Sequence, residues 1–97
     1  MHARVTTLSF PAEKLAEGVG IYQQSVLPAL QATNGFKGCY LLTDAGTGKA
    51  LSITVWESEA DGIAYESSGS YREQVGKVAA LLNAPPSLAT YDVGAQA

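Results

Sequence analysis

The sequence predicts an α+β fold of the ferredoxin-like type, with elements in the order βαββαβ and an antiparallel sheet covered by two helices. Three observations carry this. Leu15, Val19, Tyr22, Val26 and Leu30 recur at steps of four, three, four and four, the period of a helical stripe facing a core. Phe36 to Thr43 and Lys49 to Glu57 flank the polar turn Asp44-Ala45-Gly46-Thr47-Gly48, the pattern of two antiparallel strands joined as a hairpin. A second helical stretch, interrupted at Ser67-Ser68-Gly69-Ser70, separates that hairpin from a last short strand over Leu88 to Val93.

Each element has its own local reason. Arg4 to Phe10 is β-rich through Val5, Thr6 and Thr7, and Pro11 stands where it can open a helix at its first turn. Gly18, Gly20 and Pro28 weaken the first helix; Pro28 lacks the N–H that would bond the carbonyl of Gln24, which predicts a bend there. Asn34-Gly35 is its stop signal. In the second hairpin strand Leu51, Ile53 and Val55 point one way, and Ala50, Ser52, Thr54 and Trp56 the other. Ser58 with Asp61 resembles a capping box with a shorter acid, and Ser70-x-x-Glu73 forms a second and better one. Tyr71, Val75, Val78 and Leu82 then keep helical spacing until Pro85-Pro86, and Gly94 to Ala97 reads as an unstructured tail.

Ninety-seven residues predict one domain over residues 1–97, and a 46% hydrophobic, 15% charged composition lies outside the range of chains that stay disordered. A net charge of −3 without any cluster of basic residues argues against nucleic-acid partners. One cysteine, Cys39, excludes an intramolecular disulfide, and with a single histidine the chain lacks the ligand set of a metal or haem iron, so no metal and no cofactor is expected. No apolar run approaches the roughly 20 residues that span a bilayer, and no signal-peptide pattern opens the chain, which predicts a cytoplasmic protein without a membrane partner.

Two helices cover only one face of the sheet, yet the hairpin strand offers Leu51, Ile53 and Val55 on one side and Ala50 with Trp56 on the other. A second copy is the simplest cover, so the sequence predicts a two-fold homodimer packed sheet against sheet, with the Trp56 face beneath the helices.

Ferredoxin-like folds host many functions, so function has to be argued at a site. Lys37-Gly38-Cys39-Tyr40 is only a fragment of an RNA-recognition pattern, and Ser9-Phe10-Pro11 stands where a metal chaperone needs paired cysteines or an acylphosphatase a phosphate cradle. The group with chemical promise is Ser52, Thr54 and Trp56 on one strand face, with Tyr65 and Tyr71 on the broken helix above. An aromatic wall, two small hydroxyls and one or two phenols suit a flat, partly polar organic ligand. The same residues admit a plain structural reading, with Trp56 as a core residue, Ser52 and Thr54 bonded to backbone and the phenols wet at their tips. Cys39 reads as a small buried hydrophobe and Arg72 as solvent-facing.

The stretches Asn34-Gly35-Phe36-Lys37-Gly38-Cys39-Tyr40 and Thr47-Gly48-Lys49-Ala50-Leu51-Ser52-Ile53-Thr54-Val55-Trp56-Glu57-Ser58-Glu59-Ala60 resemble the antibiotic-biosynthesis-monooxygenase superfamily of dimeric α+β barrels. The resemblance implies a small homodimer with a pocket between the sheet and helices of each subunit, and for some relatives the oxidation of phenolic polyketides to quinones by molecular oxygen without metal or organic cofactor. On that basis Trp56, Ser52 and Thr54 are the candidate catalytic residues: Trp56 walls the pocket and stabilises a substrate radical or anion, and Ser52 or Thr54 hydrogen-bonds the phenolic oxygen. Tyr65, Tyr71 and Arg72 are the candidate substrate-binding residues that orient or gate the ring. The chain departs from the pattern at Ser52, where the oxygenases tend to carry an asparagine four positions before the tryptophan. It also departs from haem-degrading relatives, which need a histidine about ten positions after that tryptophan, where this chain has Tyr65 and Glu66. Two functions follow as expectations: a cofactor-independent monooxygenase acting on a small phenolic, polyketide-type aromatic compound, or a non-catalytic dimeric module that binds a small hydrophobic molecule.

Overall fold

The computed structural model describes residues Met1–Ala97. Four strands, β1 (His2–Ser9), β2 (Phe36–Asp44), β3 (Lys49–Trp56) and β4 (Ser87–Asp92), form one sheet in the order β2-β3-β1-β4, and every pairing is antiparallel. The helical segments are a 3₁₀ turn (Ala12–Lys14), α1 (Leu15–Ile21), a π-helical segment (Tyr22–Val26), α2 (Leu27–Gln31), α3 (Glu59–Ser67) and α4 (Ser70–Ala79). This is the ferredoxin-like βαββαβ order that the hairpin and the two helical stretches predict, with β1 and β3 as the inner strands.

The predicted weakness at Pro28 takes the form of the π segment one turn earlier. The amide of Leu27 bonds the carbonyl of Tyr22, five residues back, and the wider turn absorbs the donor that Pro28 lacks. Tyr22, Val26 and Leu30 thereby stay on one buried stripe.

At β2 the register shifts between Phe36 and Gly38, so Lys37 is an extra residue in the ladder. The bulge sets Phe36 opposite Trp56 and Cys39 opposite Thr54, both on the helix-covered face, while Lys37 turns out to pair with Glu57 at 2.8 Å.

The helix-covered face holds two hydrophobic clusters. Leu8, Phe10, Leu15, Ala50 and Val78 close one end; Tyr22, Val26, Leu30, Trp56 and Tyr65 close the other. Along β1 the buried residues are His2, Arg4, Thr6 and Leu8, whereas Ala3, Val5 and Thr7 face away from the helices. The opposite face of the sheet carries Val5, Leu51, Ile53 and Val55, with Tyr40 70%, Leu42 48% and Tyr91 57% exposed, so it is apolar and uncovered in the single chain.

Of the two serines predicted to cap, one does so. The Ser58 hydroxyl accepts the Asp61 amide at 3.3 Å and donates to its carboxylate at 3.0 Å. Ser70 is not a cap: the N-cap of α4 is Gly69 at φ 88°, a left-handed conformation that glycine adopts without a Cβ clash, and Ser70 is already inside the helix. The break between α3 and α4 is thus made by backbone conformation. Ser58→Ala is expected to cost about 1 kcal/mol in urea unfolding and Ser70→Ala less than about 0.5 kcal/mol. Equal losses would show that Ser70 caps α4 in solution.

Candidate functional site

Where the two core clusters meet, the packing leaves a cavity of about 40 Å³ between sheet and helices. Leu8 and Val78 reach it from one cluster and Tyr22, Val26, Leu30 and Tyr65 from the other, and the seam is filled by polar side chains, Arg4 and Thr6 from β1, Ser52 and Thr54 from β3, Gln74 from α4. That volume holds on the order of three waters and is smaller than an aromatic ring system.

Arg4 is the one charged group in this wall that is itself buried, at 4% exposed. Its Nη2 donates to Glu66 Oε1 at 2.9 Å, and its guanidinium carbon lies 5.3 Å from the centre of the Tyr71 ring, within cation–π range. Gly62 makes this possible: a Cβ there would stand 3.0 Å from Arg4 Cδ and 3.5 Å from Trp56, so α3 approaches the sheet closely because it lacks one. Tyr71 Oη lies 3.3 Å from Thr6 Oγ1, which ties α4 to β1.

A second node joins the π segment to the hairpin. Tyr22 Oη lies 2.8 Å from both Ser52 Oγ and Cys39 Sγ. Burial, reinforced by the Cys39 contact and opposed by that of Ser52, holds the Tyr22 phenol well above its usual range, and burial likewise raises the Cys39 thiol against the lowering effect of Tyr22. Burial also pushes Tyr65 up to about 12, with Tyr71 adding to the shift and Arg4 opposing it. These groups are therefore protonated at neutral pH and act as hydrogen-bond donors and acceptors.

The predicted site residues divide. Ser52, Thr54, Tyr65 and Tyr71 come together around the cavity. Trp56 does not line it: the indole is fully buried behind Thr54 and Tyr65, donates Nε1–H to Thr54 Oγ1 at 3.0 Å, and packs on Tyr65 at 5.1 Å and Phe36 at 5.7 Å between ring centres. Position 56 ends β3 at the closed end of the core, so the indole supports the wall from behind. Thr54 is committed on both sides, since its hydroxyl also donates to the Arg4 carbonyl at 3.5 Å. Arg72 lies outside, in a groove shared with Glu66, Tyr71, Val75 and Pro86, because it sits one residue past Tyr71 and points off the buried stripe of α4.

Four lining residues with polar groups were not among the candidates: Arg4, Thr6, Tyr22 and Gln74. For Arg4 and Thr6 the signal is the alternation His2, Arg4, Thr6, Leu8; for Gln74 it is its place between Tyr71 and Val78 on one helical stripe.

A raised phenol pKa means the native state holds that proton more tightly than the unfolded chain. The contribution of Tyr65 is therefore complete below pH 10 and is lost as pH rises from 10 to 12. Urea midpoints measured from pH 9 to 11 should fall for the wild type and fall less steeply for Tyr65→Phe; parallel declines would show that Tyr65 does not titrate late. Cys39 should react slowly with a disulfide reagent at pH 8 and at least about tenfold faster in urea.

No protein-family model matches the chain. Two uncharacterized proteins of Mycobacterium tuberculosis, Rv2557 and MT2634, are 34% identical to it over 55 residues, 57% of this chain but 25% of theirs, so the match spans about a quarter of the length of these curated relatives. Among solved structures, the ActVA-Orf6 monooxygenase of Streptomyces coelicolor, in complex with nanaomycin D, is similar with a TM-score of 0.83 at 17% identity, covering 99% of this chain and 90% of that one. SnoaB, a cofactor-independent oxygenase from Streptomyces nogalater, is similar at 0.81 and 12% identity, covering 98% and 94%. A mutant of MhuD with two manganese protoporphyrin IX bound per active site is similar at 0.81 and 21% identity, covering 100% and 98%. The resemblance first carried by the hairpin residues thus extends over the whole chain as a shared architecture: its fold is that of the antibiotic biosynthesis monooxygenases.

Proposed function

We propose that this chain is a cofactor-independent monooxygenase acting on a small phenolic, polyketide-type aromatic compound bound between sheet and helices. The observation that carries the reading is the buried guanidinium of Arg4 in the wall of a small cavity otherwise lined by aliphatic groups, phenols, hydroxyls and one amide. A guanidinium held in a secluded site, with N–H groups beyond the one that Glu66 accepts, stabilises a phenolate or enolate, and such an anion is the species that reacts with oxygen without help from a metal. The fold shared with SnoaB and ActVA-Orf6 supports the same assignment.

For an anthrone-type substrate the steps balance as follows. The enol O–H proton leaves to water, the anion passes one electron to O₂, and the carbon radical and superoxide combine to a hydroperoxide after protonation. Loss of water from that hydroperoxide leaves the quinone, so one substrate and one O₂ give one quinone and one water. In this scheme Arg4 faces the oxyanion, Ser52 and Tyr65 lie along the ring, and Trp56 holds Thr54 and Tyr65 in place. Entry of a ring requires Tyr71 and Val75 to swing outward, since these two residues separate the cavity from the outer groove that holds Arg72. The Ser68-Gly69 break beside α4 is the natural hinge.

The second reading, a binding module without turnover, is favoured by one observation: no imidazole and no free carboxylate lines the cavity to take a proton, because Glu66 is committed to Arg4 and His2, bonded to Asp92 at 3.2 Å, lies elsewhere. Oxygen uptake with hydroxylated anthrones and naphthols separates the two. One O₂ consumed per quinone formed, with kcat/KM lowered roughly 10- to 100-fold in Arg4→Met, is the expected result. Thermal protection by these compounds without uptake would leave the binding module, and neither effect would remove both readings.

We also propose that residues 1–97 act as one domain in a homodimer that covers the apolar sheet face, on the evidence of Tyr40, Leu42 and Tyr91 exposed there. The protein should sediment at about twice 10.1 kDa, and Ile53→Glu should return it to a monomer. A wild-type monomer at micromolar concentration would overturn this assembly.

A further inference from the structure

Gln74 enters the cavity wall from α4 and is 7% exposed. Its Oε1 accepts a hydrogen bond from Ser25 Oγ at 2.9 Å, and Ser25 Oγ accepts one from Lys77 Nζ at 2.6 Å. The direction of this chain is forced. An ammonium group has only donors, so Ser25 must be the acceptor towards Lys77, and its single proton then goes to Gln74. That fixes the amide with its oxygen turned to Ser25, an orientation that a lone glutamine leaves open. The amide nitrogen has no bond to any group of the chain, although no sealed polar side-chain atom lacks a partner. Nε2 is therefore an unsealed donor on a residue that lines the cavity.

Thr54 donates to the Arg4 carbonyl, Tyr22 meets Ser52 and Cys39, Tyr71 meets Thr6, and one N–H of Arg4 goes to Glu66; Gln74 is distinguished by a free donor that two neighbours hold in one orientation. We infer that Gln74 is a specificity-determining residue whose amide N–H donates to a carbonyl oxygen of the bound aromatic, with Ser25 and Lys77 as positioning residues, so that the ligand is a hydroxylated aromatic ketone. This deepens the cavity reading and rests on it. An unpaired donor on the wall of a secluded site penalises any ligand that offers it nothing, which makes the ketone oxygen a selected feature.

The test uses two compounds on one bicyclic frame, 5-hydroxy-1-tetralone and 5,6,7,8-tetrahydro-1-naphthol, which share the phenol and differ in the ketone. In calorimetric titrations the wild type should prefer the ketone about tenfold. Gln74→Glu should reduce that ratio to below about twofold, because a carboxylate offers the ketone no donor. Lys77→Met, at an exposed position that does not endanger folding, should reduce it several-fold by freeing the amide to turn, and Lys77→Arg should retain it. A merely structural Lys77 would change melting temperature and leave the ratio alone. An undiminished ratio in Gln74→Glu and Lys77→Met, or equal binding of both compounds by the wild type, overturns this inference and leaves the cavity reading standing. Failure of both compounds to bind overturns the two together.

Discussion

Burying a guanidinium between a sheet and its helices is costly unless it finds an acceptor and a ring to lie against, and the surroundings of Arg4 are organised by that requirement. Glu66 reaches it from α3, Tyr71 covers it from α4, and Gly62 allows α3 to come close enough for both. Both halves of the broken helix are thus held to β1 at Arg4, and α4 at Thr6 as well. The break at Gly69 then acquires a purpose: a straight helix would not present Glu66 and Tyr71 to the same group.

The same requirement explains the seam between the two core clusters. Arg4 and Thr6 occupy positions on an inner strand that an ordinary domain would fill with valine or leucine, and they keep the clusters apart. The side chains of Val5 and Ile53, cross-strand neighbours, are turned instead to the uncovered face. Polarity inside and apolarity outside are two consequences of one choice of phase along β1, which links the cavity to the surface where a second copy is proposed.

Much of this was legible in the residues, and the parts that were not have physical causes. The hairpin, the alternation of β3 and the cap at Ser58 are local patterns, and they appear as read. The phase of β1 is not local: Ala3-Val5-Thr7 and Arg4-Thr6-Leu8 are each plausible inward sets, and tertiary contacts from Glu66 and Tyr71 select the second. Trp56 was correctly placed on the helix side, but alternation gives a side and no depth, and its position at the end of β3 puts it behind Thr54. Ser70 satisfies the capping pattern in composition, yet the positive φ of Gly69 decides where α4 begins. Gln74 looked like any polar residue on an amphipathic helix, and only the positions of Ser25 and Lys77 distinguish it.

The π segment over Tyr22–Val26 amounts to one residue more than a regular α-helix would need to join its two ends. Each half of the rod is consequently free to choose its own rotation about the common axis. The N-terminal half can turn Leu15 and Gly18 into the distal cluster, while the C-terminal half sets Leu30 beneath the indole. Excising a single residue from Gln23-Gln24-Ser25 would lock the halves in step and swing the Tyr22 phenol by about 100° away from Ser52. The width of one turn is what keeps the two ends of this core independently adjustable.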